Sequence, residues 1–212
     1  MLKVNEIFHS IQGESSHAGR PCVFVRLTGC NLRCTWCDTE YAFYEGEDLT
    51  VDQVLERVVA YGCRLVEVTG GEPLMQPGAI ELMERLLKDG YEVLLETGGS
   101  LPINQVPRDV IKIVDFKAPS SGMMKKNLWS ILDDLAPQDE IKIVIGDRAD
   151  YDWAKAALEQ HDHLGRHTVL FSPVFGRLEP QTLSEWILGD RLPVRFQLQL
   201  HKIIWEPDLR GV

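Results

Sequence analysis

Apolar and polar positions fall into short blocks of two periodicities. Over 21–27, Val23, Val25 and Leu27 alternate with Cys22, Phe24 and Arg26, which predicts a strand with Arg26 on the face opposite the valines. Thr50 and Gln53 form a capping box ahead of Val54, Leu55, Val58 and Val59, predicting a helix that runs to about Ala60. Leu65–Val68 reads as a strand, followed by a helix over about 79–88 that Gly90 stops. The rhythm then repeats, with strands at 92–95 and 110–114, a short helix near 128–134 and a strand at 141–145. Asp150 is placed to cap a helix running to about Gln160, and 168–171 is the next strand. Thr182 and Glu185 cap a further helix, and 194–200 alternates as a last strand.

Strands alternating with helices predict a parallel sheet joined by crossovers. Eight such units in a closed barrel typically take about 250 residues. A chain of 212 residues therefore fits an α/β fold built as an incomplete TIM-like barrel of about six mainly parallel strands. No repeat, low-complexity tract or linker divides it, so 1–212 is expected to be a single domain. Polar and glycine-rich residues follow the strands directly: Gly70-Gly71-Glu72-Pro73, Glu96-Thr97-Gly98-Gly99, Asp115-Phe116-Lys117, Ser172-Pro173 and His201. The C-terminal ends of parallel strands are where such folds place ligands, and the cysteine-rich loop at 28–40 opens on the same rim.

Composition narrows the class of partner. The apolar (44%) and charged (25%) fractions are those of an ordinary globular protein. A net charge of −10, from 22 basic and 32 acidic residues, argues against nucleic acid, which needs a basic footprint. The stretch Ser15–Cys37 breaks the trend: it holds Arg20, Arg26 and Arg33 and no acidic residue. Those arginines are expected to offset thiolate charge, or to receive an anionic ligand or an acidic electron donor. No apolar run is long enough to span a membrane, and the first residues lack the pattern of a secretory signal. With clustered thiols, this makes a cytoplasmic location the expectation.

Cys30, Cys34 and Cys37 form C-x3-C-x2-C. Three thiolates from one loop can ligate three irons of a cubane cluster and leave the fourth iron open to a small molecule. A zinc site would need one more ligand, which His17 or Cys22 lies near enough in sequence to supply. A disulfide is disfavoured by the spacing and by the odd count of five cysteines. Cys22 and Cys63, outside the triplet, read as buried small hydrophobes. The Gly70–Pro73 turn offers backbone free to approach a ligand, or it is a plain strand-to-helix turn.

Together, Cys30-Asn31-Leu32-Arg33-Cys34-Thr35-Trp36-Cys37 and Gly70-Gly71-Glu72-Pro73 resemble the radical S-adenosylmethionine (SAM) superfamily. The resemblance implies a [4Fe–4S] cluster whose open iron is chelated by SAM, with Gly70, Gly71 and Glu72 holding the methionyl ammonium and Trp36 near the adenine. It implies an electron donor such as a flavodoxin or ferredoxin. The segments Ile7–Ser15, Phe24–Cys30, Cys37–Thr39 and Gln197–Trp205 are similar to the 7-carboxy-7-deazaguanine synthase family. That similarity implies a lyase that contracts 6-carboxy-5,6,7,8-tetrahydropterin to 7-carboxy-7-deazaguanine with loss of ammonia, on the queuosine pathway. It also implies a homodimer and Mg2+ near the substrate.

Position by position, the resemblance implies that Ile11, Gln12 and Gly13 contact the pterin, Arg26 its carboxylate, Thr39 the Mg2+ and Thr69 the substrate. Asp115, Phe116 and Lys117, with Ser172, Pro173, Val174 and Phe175, would line the SAM ribose and carboxylate. Glu14 and His201 are candidates for acid–base work, with backbone capping and a structural hydrogen bond as their plainer roles. Arg26 has the plainer alternative of a solvated strand position, and Asp38-Thr39 that of a turn or cap. The C-terminal segment 194–212 is expected to complete the site; in some members the chain end reaches the substrate, and here Glu206–Val212 runs past Trp205. Two other functions remain open: a glycyl-radical-activating enzyme, and a non-catalytic iron–sulfur or zinc module.

Overall fold

The computed structural model describes residues 1–161 and 164–212. Strands β1 (Leu2–Ile11) and β2 (Pro21–Leu27) pair antiparallel, and β3 (Glu47–Leu49) pairs antiparallel with β1. From β2 onward every pairing is parallel, through β4 (Leu65–Gly70), β5 (Glu92–Thr97), β6 (Ile111–Phe116), β7 (Glu140–Ile145), β8 (Thr168–Pro173) and β9 (Arg195–Phe196). The nine strands lie in the order β3-β1-β2-β4-β5-β6-β7-β8-β9, with β3 and β9 at the two edges. The sheet is therefore unclosed, as the chain length predicts. Its six full-length parallel strands, β2 and β4–β8, are the expected ones; β1 and β3 widen it.

Helices α1 (Val51–Ala60), α2 (Gly78–Lys88), α3 (Arg148–Gln160) and α4 (Pro180–Asp190) join the parallel strands. Val25, Val68, Leu95, Val114, Ile143 and Phe171 point from the sheet into the core they cover, against Val54, Leu82, Ala154 and Leu183. The predicted capping box of α1 is present, and Gly90 ends the turn after α2 at φ +79°.

Four sequence expectations are corrected. The cap of α3 is Asp147, whose side chain accepts from the Asp150 amide at 3.0 Å; Asp150 lies one turn inside, fully buried. Helix α4 opens at Pro180, whose fixed φ suits a first helical position, so Thr182 and Glu185 sit within it. The helix near 128–134 is a single 3-10 stretch, Trp129–Asp133. The alternating segment 194–200 forms only the two-residue β9; beyond it the chain turns, and His201 opens a short helix, α5 (His201–Ile204), instead of ending a strand. Strand β1 escaped the periodicity because a bulge between Val4 and Glu6 switches its faces midway. Leu2 and Val4 pack toward the helices, whereas Phe8, of the same parity, packs on the opposite side of the sheet.

Candidate functional site

Alternation along the parallel strands turns one residue in two away from the helices, into the barrel interior. At the N-terminal ends these residues are apolar: Phe8, Cys22, Phe24, Leu65, Leu94 and Ile113 form a small buried plug, with the Phe8 and Phe24 rings stacked at 4.9 Å. One or two steps further along these strands the residues become Arg26, Glu67, Thr69, Glu96 and Asp115, joined by Lys142 from β7. All six line a cavity of about 430 Å³ at the C-terminal ends of the strands. The plug is its floor support, and the charged layer is its floor.

Lys142 holds that layer together. Its ammonium binds Glu14 at 2.7 Å, contacts Glu96 directly and lies 3.6 Å from Asp115. Burial opposes the charge, but the three carboxylates outweigh it and raise the lysine well above its ordinary range. Burial equally opposes ionisation of Glu14, yet Lys142 and His201 hold that carboxyl down at about 2. Asp115 also pairs with Lys117 at 2.9 Å.

On the rim, Cys30, Cys34 and Cys37 are free thiols that all line the cavity. Glycine makes the loop's seat possible: Gly70 adopts φ +143°, and a β-carbon on Gly71 would collide with the Gly29 carbonyl beside Cys30. The loop is tied down by Thr35, whose amide and hydroxyl donate to the Ser121 and Ser120 carbonyls at 3.1 and 2.7 Å. Among the described residues no three His, Cys, Asp or Glu side chains converge as a single ion would require. Three free thiols from one loop on one cavity rim fit three corners of a cubane cluster. The proposed fourth zinc ligands lie elsewhere: Cys22 is buried in the apolar plug, and His17 sits beside Arg20 and Glu92. Burial raises all three rim thiols, while Lys117 opposes it, so in the metal-free protein they are protonated and cluster assembly must release protons.

The structure gathers most sequence-predicted residues here, but not all. Ile11, Gln12, Gly13, Glu14, Arg26, Trp36, Thr39, Thr69, Gly70, Gly71, Asp115, Lys117, Val174, Phe175 and His201 line the cavity. Glu72, Phe116, Ser172 and Pro173 lie outside that lining. Glu72 is fully buried and accepts from Thr97 Oγ1, the Gly98 amide and the Leu74 amide at 2.8–3.1 Å, locking two rim turns together. Phe116 is buried against Trp129, with ring centroids 4.7 Å apart. The side-chain amide of Gln12 is committed at both ends, to the Glu14 amide at 2.8 Å and to Glu67, so it orients the floor.

Arg26 is a pocket residue, not a solvated one. Its Nε donates to Glu6 at 2.7 Å, Tyr41 donates to the same carboxylate at 2.9 Å, and its terminal nitrogens have no protein acceptor among the described residues. Arg20 is corrected: it pairs with Glu92 at 2.6 Å at the N-terminal ends of the strands, away from the cysteines. Arg33 does stay on the cysteine loop, donating to the Cys30 and Leu32 carbonyls and lying 4.2 Å over Phe43. Asp38 accepts from Thr39 Oγ1 at 2.8 Å and from Lys202 at 2.6 Å; the lysine overrides burial and keeps it well below the carboxylate range. His201 sits against Gly13, and burial lowers its pKa, so it is neutral near pH 7. Cys63, expected buried, is only half-buried.

Lys142 and Glu67 on the floor went unread in the sequence as site residues; Glu96 was placed there only as part of a strand-end segment, and Gln199, beside Glu14 at 2.9 Å, only within the C-terminal segment. A polar residue every second position, ending strands whose other face is apolar, was the available signal. Pro207–Val212 also lines the cavity, and Arg210 stacks 3.8 Å over Tyr41.

Residues 24–117 match the model of the radical SAM superfamily. The chain is 52% identical to the 7-carboxy-7-deazaguanine synthase of Chlorobaculum tepidum, covering all of this chain and 97% of that one. It is 47% identical to the enzyme of the same name from Koribacter versatilis, over the whole of both. Its fold matches the crystal structure of QueE from Escherichia coli with a TM-score of 0.78, at 23% identity over 93% of each chain.

Proposed function

The chain belongs to the 7-carboxy-7-deazaguanine synthase family of radical SAM enzymes, and we propose that it converts 6-carboxy-5,6,7,8-tetrahydropterin to 7-carboxy-7-deazaguanine with loss of ammonia. One observation carries the reading: a single cavity joins three free rim cysteines to an arginine and a charged floor sized for a small polar heterocycle. A [4Fe–4S] cluster on Cys30, Cys34 and Cys37, with SAM, supplies the hydrogen-abstracting radical when bound.

The chain's own residues bind, orient and exclude water. Arg26, steadied through Glu6, offers its two terminal nitrogens to the substrate carboxylate. Glu14, kept ionised by Lys142, accepts from the amine and amide edge of the pterin. Ile11, Gln12, Gly13 and Thr69 shape the substrate side. Trp36, Gly70, Gly71, Asp115, Lys117, Val174 and Phe175 shape the SAM side, with Glu72, Phe116, Ser172 and Pro173 supporting that rim from behind. Thr39 and Asp38 suit Mg2+, which accepts few protein oxygens and keeps waters. The tail over the cavity favours a small molecule over the protein backbone that an activating enzyme must admit.

A single domain over 1–212, a homodimer, a flavodoxin- or ferredoxin-type donor and a cytoplasmic location complete the proposal by family resemblance. No helix among the described residues is long and apolar enough to cross a membrane. The test is anaerobic reconstitution with dithionite, SAM, Mg2+ and the tetrahydropterin, read by mass and ultraviolet absorbance. Deazapurine without matching SAM consumption is expected; 5′-deoxyadenosine with no deazapurine would overturn the substrate assignment.

A further inference from the structure

Charge on the cavity floor does not balance if every carboxyl is ionised. Glu14, Glu67, Glu96 and Asp115 meet two ammonium groups there, Lys117 and Lys142. Lys117 pairs with Asp115, and Lys142 with Glu14 and Glu96. Glu67, only 2% exposed, has neither. Its carboxyl accepts from the Gln12 amide, and Glu96 lies on the neighbouring strand, on the same face, two positions beyond Leu94, the register partner of Glu67. A buried carboxylate with no cation in contact, beside another carboxylate, is too costly to keep ionised, so the pair holds a proton.

Among the described residues no ammonium or guanidinium pairs with Glu67 directly. Facing Glu67 are Cys22 on β2, whose thiol burial pushes far up, Glu14 after β1, Glu96 on β5 and Lys142 on β7. Arg26 on β2 lies opposite Thr69, one interior step beyond Glu67, and its Nε pairs with Glu6. Burial, then the charges of Glu96 and Glu14, raise Glu67 well above the carboxylate range. A second observation points to an occupant: Asp115 Oδ1, buried on the same floor, has no donor among the described residues.

We infer that Glu67 and Glu96 share one proton and deliver it to the nitrogen that departs as ammonia. Delivery rests on the reaction proposed above; the shared proton does not. Glu67 holds the proton and Glu96, with 26% of its side chain exposed to the cavity, passes it on. The C–N bond breaks with its electron pair on nitrogen, which takes the proton. The adjacent ring carbon gives its C–H electrons to the new double bond and its proton back to the pair. The carboxyls end as they began, and no oxidant or reductant is consumed.

Glu67→Gln, nearly isosteric and permanently neutral, separates holding from delivering. Infrared titration of the protein should show a protonated-carboxyl band persisting at pH 8 in the wild type and lost in the variant. 6-Carboxypterin fluorescence should give the variant an affinity within about twofold of the wild type. With the tetrahydropterin, the variant should still form 5′-deoxyadenosine while deazapurine formation falls at least ~100-fold, the range of a lost general acid. No wild-type band overturns the shared proton, and a Glu67→Gln turnover within about tenfold of wild type overturns delivery. A wild type that has the band but makes no deazapurine upholds the shared proton and overturns delivery together with the substrate reading.

Discussion

Lys142→Met removes the one cation that three floor carboxylates share while keeping most of the side chain's volume. Breaking a buried pair by deleting one partner typically costs about 3–5 kcal/mol, because a charge is left uncompensated. The structure yields a similar figure independently. Against burial, Glu14 is held at about 2 instead of an ordinary 4.5, with Lys142 the largest favourable cause ahead of His201 and Gln199, and at about 1.4 kcal/mol per pKa unit that is about 3 kcal/mol at neutral pH, most of it from Lys142. The sign follows from the depressed folded-state pKa. The stabilisation is complete above the unfolded value of 4.5 and is lost as pH falls through about 2. Linkage leaves about 1 kcal/mol of it at pH 3. Thermal unfolding of the metal-free protein should therefore show the variant less stable by about 3 kcal/mol at pH 7, on the order of 10 °C for a chain this long. The gap should narrow to roughly a third to a half by pH 3. A gap under about 1 kcal/mol at pH 7, or one that does not narrow in acid, would refute the assignment of Lys142 as the cation that stabilises the floor.

Replacing Cys30, Cys34 or Cys37 singly by serine should strip the reconstituted protein of most of its iron and abolish SAM cleavage, measured by iron assay and chromatography; full cluster loading in any one variant contradicts the ligand set. In metal-free protein, burial-raised thiols predict slow iodoacetamide labelling of those three at pH 7.5, accelerating above pH 9, with Cys22 silent until unfolding; mass spectrometry reads the sites. Arg26→Lys keeps the charge but loses the fork, so KM for the tetrahydropterin should rise about tenfold, about 1.4 kcal/mol, with little change in melting temperature. Gly13→Ala drives a methyl group into the His201 ring, and a fall in kcat with unchanged iron content is expected in turnover assays; wild-type kinetics would mean the ring is free to move away.

What the sequence determined by itself was whatever chemistry is written within one short segment. The cysteine triplet, the Gly70–Pro73 turn and the alternation of β2 each need only neighbours a few residues apart, so spacing alone placed them on one rim. The helices followed for the same reason, since the capping box of α1 is a contact between Thr50 and Gln53. The bulge in β1 and the end of β9 escaped, because a face switch and a strand's partner are not local properties. The pairings within the floor escaped most completely. Glu14 meets Lys142 across 128 positions, Gln12 meets Glu67 across 55 and Gln199 meets Glu14 across 185. Each, read alone, is an ordinary polar residue in or near a strand. Only parallel registry, which sets Asp115 opposite Lys142 and Glu96 one interior step below them, opposite Ile113, brings them within reach. Once water is excluded there, unpaired charge is too costly to keep, and that tertiary fact assigns their partners and their protons.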